Sequence, residues 1–359
     1  MSSTLWKLLI FRVETTTPDG RTDMLYANSR MQVPVIVSIK AQAQDTGNVY
    51  KLSDSELDKI ELIDYDAPTT KLADGWSYST ERNEEFANTA TGPLKSSNLV
   101  AHFLKASVNQ SATTTTTTSD NIPQKKKYMV STTRVENKRI GARIQQPGGT
   151  MVTTTSSPFN FYVTLVGNPP VVYTTDTIRV TRVTVDKGEK VVGVYNNSGT
   201  KIDSSKMPWS QDNYYISSSV HDFVKADIHD YDTTGNEKGH HADSRLANLF
   251  NYWSDNGMLR LSFIWGIATQ STKTAGIYRE TGSPNTTKIE AFEDIKVNQK
   301  SNAVCLTRMA FNYSRQLWGS NWSNSDCGFT VYDRYGNAGK FCVSWCKDED
   351  IIVVRDSNL

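Results

Sequence analysis

No apolar run in this sequence approaches the ~18 consecutive residues that a membrane-spanning helix needs. The longest one near the start, Leu5 to Phe11, is interrupted by Lys7 and closed by Arg12. No basic segment precedes it and no small-residue cleavage site follows, so it does not read as a signal peptide. The expectation is a soluble chain made in the cytoplasm, reaching the outside only by lysis or a non-Sec route. Charge of one sign is also missing. With 39 Lys+Arg against 38 Asp+Glu, the chain has no basic excess to form a nucleic-acid groove, and nucleic acid is not an expected partner.

Cysteine is scarce: Cys305, Cys327, Cys342 and Cys346 are the only four, all in the last 55 residues. None forms a CxxC pair, and their spacing matches no zinc ribbon, finger or thioredoxin motif. Catalytic signatures are absent too. There is no GxSxG elbow, SxxK, phosphate-binding GxxxxGK[ST], GxGxxG or HExxH. No motif therefore points to an enzyme.

What the sequence has in quantity is Thr (40), Ser (35) and Asn (25). β-branched Thr suits a pleated strand, and Ser and Asn suit turns. Val33, Val35, Val37 and Ile39 alternate, with Pro34 marking a strand start or an edge. Ser53-Asp54-Ser55-Glu56 can cap a short helix. Strands are read at Tyr128–Val130, Ile140–Ile144, Phe159–Val166, Ile178–Val185 and Val191–Tyr195, the last two separated by a turn at Asp186-Lys187-Gly188. Leu246, Leu249, Phe250 and Trp253 fall at helical spacing, which predicts a helix over about 244–256, capped by Asp243 or Ser244 and ended by Gly257. Between 106 and 127 no periodic apolar pattern survives the run Thr113–Thr118, and this predicts a linker or exposed loop. The expected fold is mainly β: two β-sandwich or jelly-roll-like domains, 1–105 and 128–359, the second with that one packed α-helix.

A two-residue turn at Gly336-Asn337 sets paired positions so that Cys327 faces Cys346, within reach of a disulfide. Without a leader sequence, reduced and buried thiols are the preferred reading. Cys342 and Cys346, four strand residues apart, lie ~13 Å from one another and cannot bond.

Three groups of residues could carry function. Tyr313, Arg315, Trp318, Asn321 and Trp322 mix aromatic faces with an amide and a guanidinium, a set suited to a sugar ring or a protein surface. Asp230, Asp232, Thr234 and Asn236 follow the spacing of a half calcium loop, oxygens at alternate positions before Gly235. His241 stands where such a loop places a bidentate Glu. The same window, 221–243, holds His221, His229, His240 and His241 among several Asp residues, the raw material of a metal-dependent hydrolase. The leading expectation is non-catalytic binding of a glycan or protein surface, or assembly into a homo-oligomer. A β-pore-forming toxin with a membrane partner comes second and the hydrolase third.

Overall fold

A computed structural model describes residues 5–86, 122–196, 198–231, 248–255, 258–268, 272–280, 288–297, 299–312, 322–323 and 326–357. The chain divides into two units. Unit 1 runs to Val171 and also includes Tyr335–Asn337; unit 2 is Val172–Arg334 with Ala338 onward.

Unit 1 is a β-sandwich. Its strands are β1 (Trp6–Thr15), β2 (Thr22–Tyr26), β3 (Val33–Ala43), β4 (Val49–Tyr50), β5 (Glu61–Asp64), β6 (Trp76–Ser79), β7 (Gln124–Thr132), β8 (Asn137–Gln145), β9 (Met151–Thr153) and β10 (Val163–Asn168). One sheet has the order β1-β3-β7-β6 with β4 on β3; the other is β2-β10-β8-β5 with β9 on β8. Among the described strands of this unit, only β2 and β10 run parallel. The two sheets share one core, because alternation turns Val33, Val35, Val37 and Ile39 of β3 toward Ile140, Ala142, Val163 and Leu165 of β8 and β10. Pro34 sits beyond Thr15↔Val35, the pair that ends the β1 ladder, so its missing N–H costs no bond to β1. The expected short helix is present as α1 (Asp54–Leu57), closed by a capping box between Ser53 and Glu56. At Gly167 any side chain would be excluded, since a Cβ there would lie 2.1 Å from the Arg134 carbonyl.

Asp23 is an exception inside this sandwich. It shares the buried face of β2 with Leu25 and is 6% exposed. Its Oδ1 accepts the Met24 N–H at 2.8 Å, while Oδ2 is buried with no hydrogen-bond partner. Burial pushes its pKa up to about 6, with the charge of Asp19 adding to the rise.

Unit 2 contains β11 (Ile178–Tyr195), β12 (Lys201–Ser218), β13 (Phe223–His229), β14 (Leu249–Asp255), β15 (Met258–Trp265), β16 (Thr272–Glu280), β17 (Lys288–Lys296), β18 (Val304–Asn312), β19 (Trp322–Ser323), β20 (Gly328–Asp333), β21 (Ala338–Cys346) and β22 (Ile351–Asp356). They form an eight-stranded sheet, β16-β17-β11-β12-β18-β15-β14-β19, and a four-stranded one, β13-β20-β21-β22. One face of the large sheet carries Trp209, Tyr215, Leu261, Phe263, Cys305, Met309 and Phe311. Buried amides on that face stand in for strand partners. Asn213 Nδ2 donates to the carbonyls of Lys296 and Val297, and Gln211 both donates to and accepts from Lys296.

The structure corrects several sequence expectations. Residues 249–255 of the expected helix are strand β14, paired with β15 and β19; residues 244–247 lie outside the described residues. Leu249, Phe250, Asn251 and Tyr252 are all buried, and a short aromatic segment covered on both faces satisfies a helical spacing without being a helix. The domain boundary expected at 106–127 falls instead between Val171 and Val172. Strand β7 begins at Gln124 and pairs with β3 and β6, and Lys126 within it binds Asp58 at 2.5 Å; residues 106–121 are outside the described set. The turn expected at Asp186-Lys187-Gly188 is instead part of a continuous β11, paired with Gln211, Ser210 and Trp209 just after a register shift between Thr184 and Asp186.

The β20–β21 hairpin is also registered differently. Phe329 pairs with Phe341 and Tyr332 with Ala338, leaving a five-residue loop, Asp333–Asn337. Cys346 therefore pairs with Ile351 of β22, and the Cys327 carbonyl accepts from Val343. All four cysteines are free. Burial pushes the Cys305 and Cys327 thiols up to about 12, which keeps both protonated and unreactive.

Candidate functional site: an aromatic and arginine cluster

Of the five aromatic-loop candidates, Tyr313, Arg315, Trp318 and Asn321 lie outside the described residues, and Trp322 falls in β19 with its backbone paired to Tyr252. Of the calcium-loop set, Asp230 is exposed at the end of β13 with φ +55; Asp232, Thr234 and Asn236 are outside the described residues. In the histidine window, His229 shares a 3.3 Å contact with the Thr330 hydroxyl. Among the described residues no three His, Cys, Asp or Glu side chains gather closely enough to hold a metal.

The chemistry sought at 313–324 is met elsewhere, on unit 1. Strand β5 ends in a turn whose Asp64 side chain accepts the Asp66 N–H at 2.9 Å, fixing Tyr65 and Asp66 at the surface. Alternation on β8 buries Ile140 and turns Arg139 outward. The segment before β10 delivers Asn160, Phe161 and Tyr162; the strand starts at Val163, later than the expected Phe159. These three stretches converge. The Tyr65 and Tyr162 rings lie 4.6 Å apart, tilted by 50°, and the Arg139 guanidinium sits 5.0 Å from one ring centre and 5.4 Å from the other.

Polar contacts hold the cluster in place. Arg139 Nε donates to Asp66 Oδ2 at 3.1 Å, and a second guanidinium N–H donates to Oδ1. Such a two-pronged pair fixes orientation as well as charge, and hydrogen bonding to Asp66 moves the arginine pKa further up. The Tyr65 hydroxyl donates to Asn160 Oδ1 at 2.6 Å, which leaves the Asn160 Nδ2 as a donor at the rim. Tyr162 is 40% exposed and Phe161 37%. The arrangement presents flat apolar faces edged by oriented polar groups, side-chain types that suit recognition.

A second charged centre, in unit 2, is built on the buried side chains of Asp212, Arg260 and Arg308 and serves the fold. Asp212, 2% exposed, accepts from Arg182, Arg308 and Thr184 at 2.6–2.8 Å. Asp350, in the turn before β22, accepts from Arg260 and Arg308 at 2.8–2.9 Å and from the Trp345 indole at 3.1 Å. Hydrogen bonds and the charges of Arg308 and Arg260 outweigh burial and hold the Asp350 carboxyl down at about 2.

No protein-family model matches the chain, and no curated protein matches it. Among solved structures the chain is similar to the Streptococcus agalactiae AgI/II polypeptide BspA C-terminal domain, at 7% identity over 97% of this chain and 100% of that one, with a TM-score of 0.19. A mutant described as BspA_C_mut gives 8% identity, coverage of 97% and 98%, and a TM-score of 0.18. Scores this low carry no argument about shared fold or function. The mainly β architecture rests on the strand pairing itself, and it is consistent with binding or assembly without selecting a partner.

Proposed function

We propose that the chain is a non-catalytic binding protein that engages a glycan or protein surface through Tyr65, Tyr162, Arg139 and Asp66. The supporting observation is that two tyrosine rings and a guanidinium, oriented by a carboxylate, stand at the surface of a rigid sandwich. Aromatic and arginine side chains supply most of the energy at recognition sites. Tyr162→Ala should therefore weaken binding to an immobilised extract of cell-surface glycans and proteins by about tenfold or more, while the melting temperature stays near that of the native protein. Equal binding by both proteins would remove the cluster from any recognition role.

A second reading, a β-pore-forming protein, draws on one specific feature. Strands β11 and β12 each run for 18 residues, well beyond the ~9–11 that a membrane strand requires. Lys201–Lys206 of β12 are exposed, as are Val191 and Ile202. Dye release from phosphatidylcholine vesicles would support this reading, and vesicles that stay sealed would reject it.

A further inference from the structure

We infer that the cluster takes an uncharged sugar ring, in preference to an acidic saccharide or a protein loop; this rests on the binding role proposed above. Charge is the first argument. The charge of Arg139 is balanced by Asp66, bonded through two N–H groups, and that of the adjacent Lys138 by Asp64 at 2.5 Å. A sulfate, phosphate or carboxylate would compete with an existing carboxylate at either cation and would meet no net positive charge. A neutral ligand leaves both pairs intact.

Shape and hydrogen bonding give the second argument. A pyranose offers a face of C–H groups that lies against an aromatic ring, and a rim of hydroxyls that both donate and accept. Tyr162 supplies the ring. Around it stand an acceptor, the Asp66 carboxylate, and a donor, Asn160 Nδ2, whose own oxygen is fixed by the Tyr65 hydroxyl. Protein hot spots differ in being enclosed by a rim that excludes water. Here the central ring is 40% exposed and edged by an ion pair, which suits a small polar ligand that keeps part of its hydration.

The test uses the full chain, titrated with lactose, chitobiose and maltotriose as neutral probes and with sialyllactose and a heparin tetrasaccharide as acidic ones. At least one neutral probe should bind, with affinity nearly independent of salt because no counterions are released. Tyr162→Ala should lose about tenfold or more, as expected of a stacking anchor, and Tyr162→Phe, which keeps the ring, should retain most of the affinity. Binding of acidic probes alone, or of no probe, overturns the inference. Should the surface extract bind in a Tyr162-dependent manner that survives periodate oxidation of sugars but not proteolysis, the binding role stands and this inference falls. Extract binding indifferent to Tyr162 ends both.

Discussion

Asp350→Asn is expected to destabilise unit 2 by about 2–3 kcal/mol, because the half-buried carboxyl between Arg260 and Arg308 has its pKa lowered from 3.8 to about 2 and each pKa unit is worth about 1.36 kcal/mol. Asparagine is the informative replacement. Asp350 has φ +51, a conformation asparagine tolerates and alanine does not, so the loss reports charge and not backbone strain. Without the carboxylate, the acceptors left to Arg260 among the described residues are neutral, including the Leu259 carbonyl and Asn312 Oδ1, and Arg308 keeps Asp212. The same carboxyl predicts an acid limit. Its pKa is lowered from 3.8 to about 2 in the folded state, so its stabilisation is present above the unfolded value and is lost as pH falls from about 4 toward 2. Denaturant unfolding of both proteins at neutral pH and near pH 3 checks this. The gap between them should narrow at the lower pH, and a variant as stable as the native protein at pH 7 would show that the network contributes nothing.

Asp23→Asn should do the opposite and stabilise unit 1. The folded pKa of Asp23 is raised from 3.8 to about 6, so folding binds the proton more tightly than the unfolded chain does. Stability is full below pH 4 and declines as pH rises through 6, by up to about 3 kcal/mol at 1.36 kcal/mol per pKa unit. Asparagine retains an oxygen for the Met24 N–H and carries no charge into the sandwich. Its gain should be about 2–3 kcal/mol at pH 7 and near zero at pH 4. Equal effects at the two pH values would mean that the carboxylate is not the source of the penalty.

How far the sequence could be read depended on whether a feature was local. The alternation on β3 and the Ser53 cap are set by neighbours along the chain, and both appear where expected. The Leu249–Trp253 stripe is ambiguous in principle, since burial on both faces of a central strand erases the period that separates strand from helix. The hairpin register turned on residues far away. Gly336 and Asn337 look like a solvent-exposed turn, but Asn337 is fully buried, and its Oδ1 and the Tyr335 carbonyl both accept from Asn28, so the loop takes five residues instead of two. The binding cluster was hidden for a similar reason. Tyr65, Arg139 and Tyr162 are unremarkable one at a time, and only the pairing of β5 and β10 with β8 makes them neighbours. The run Phe159–Tyr162 is the local signal, and its apolar residues read equally as the start of the strand that begins at Val163.

Unit 1 holds in its core a residue from well beyond its own contiguous stretch, which runs to Val171. Tyr335 is buried there against Tyr26, ring centres 5.7 Å apart, and a Cβ at Gly336 would come within 2.6 Å of Arg30. A ribosome delivers residues in order, and domains generally fold as they emerge. Here the first sandwich must wait, its aromatic centre unfilled, until most of unit 2 has been made. Unit 1 precedes unit 2 in synthesis and is completed only once Tyr335 has followed, and a fragment ending at Val171 would carry a hole where Tyr335 belongs.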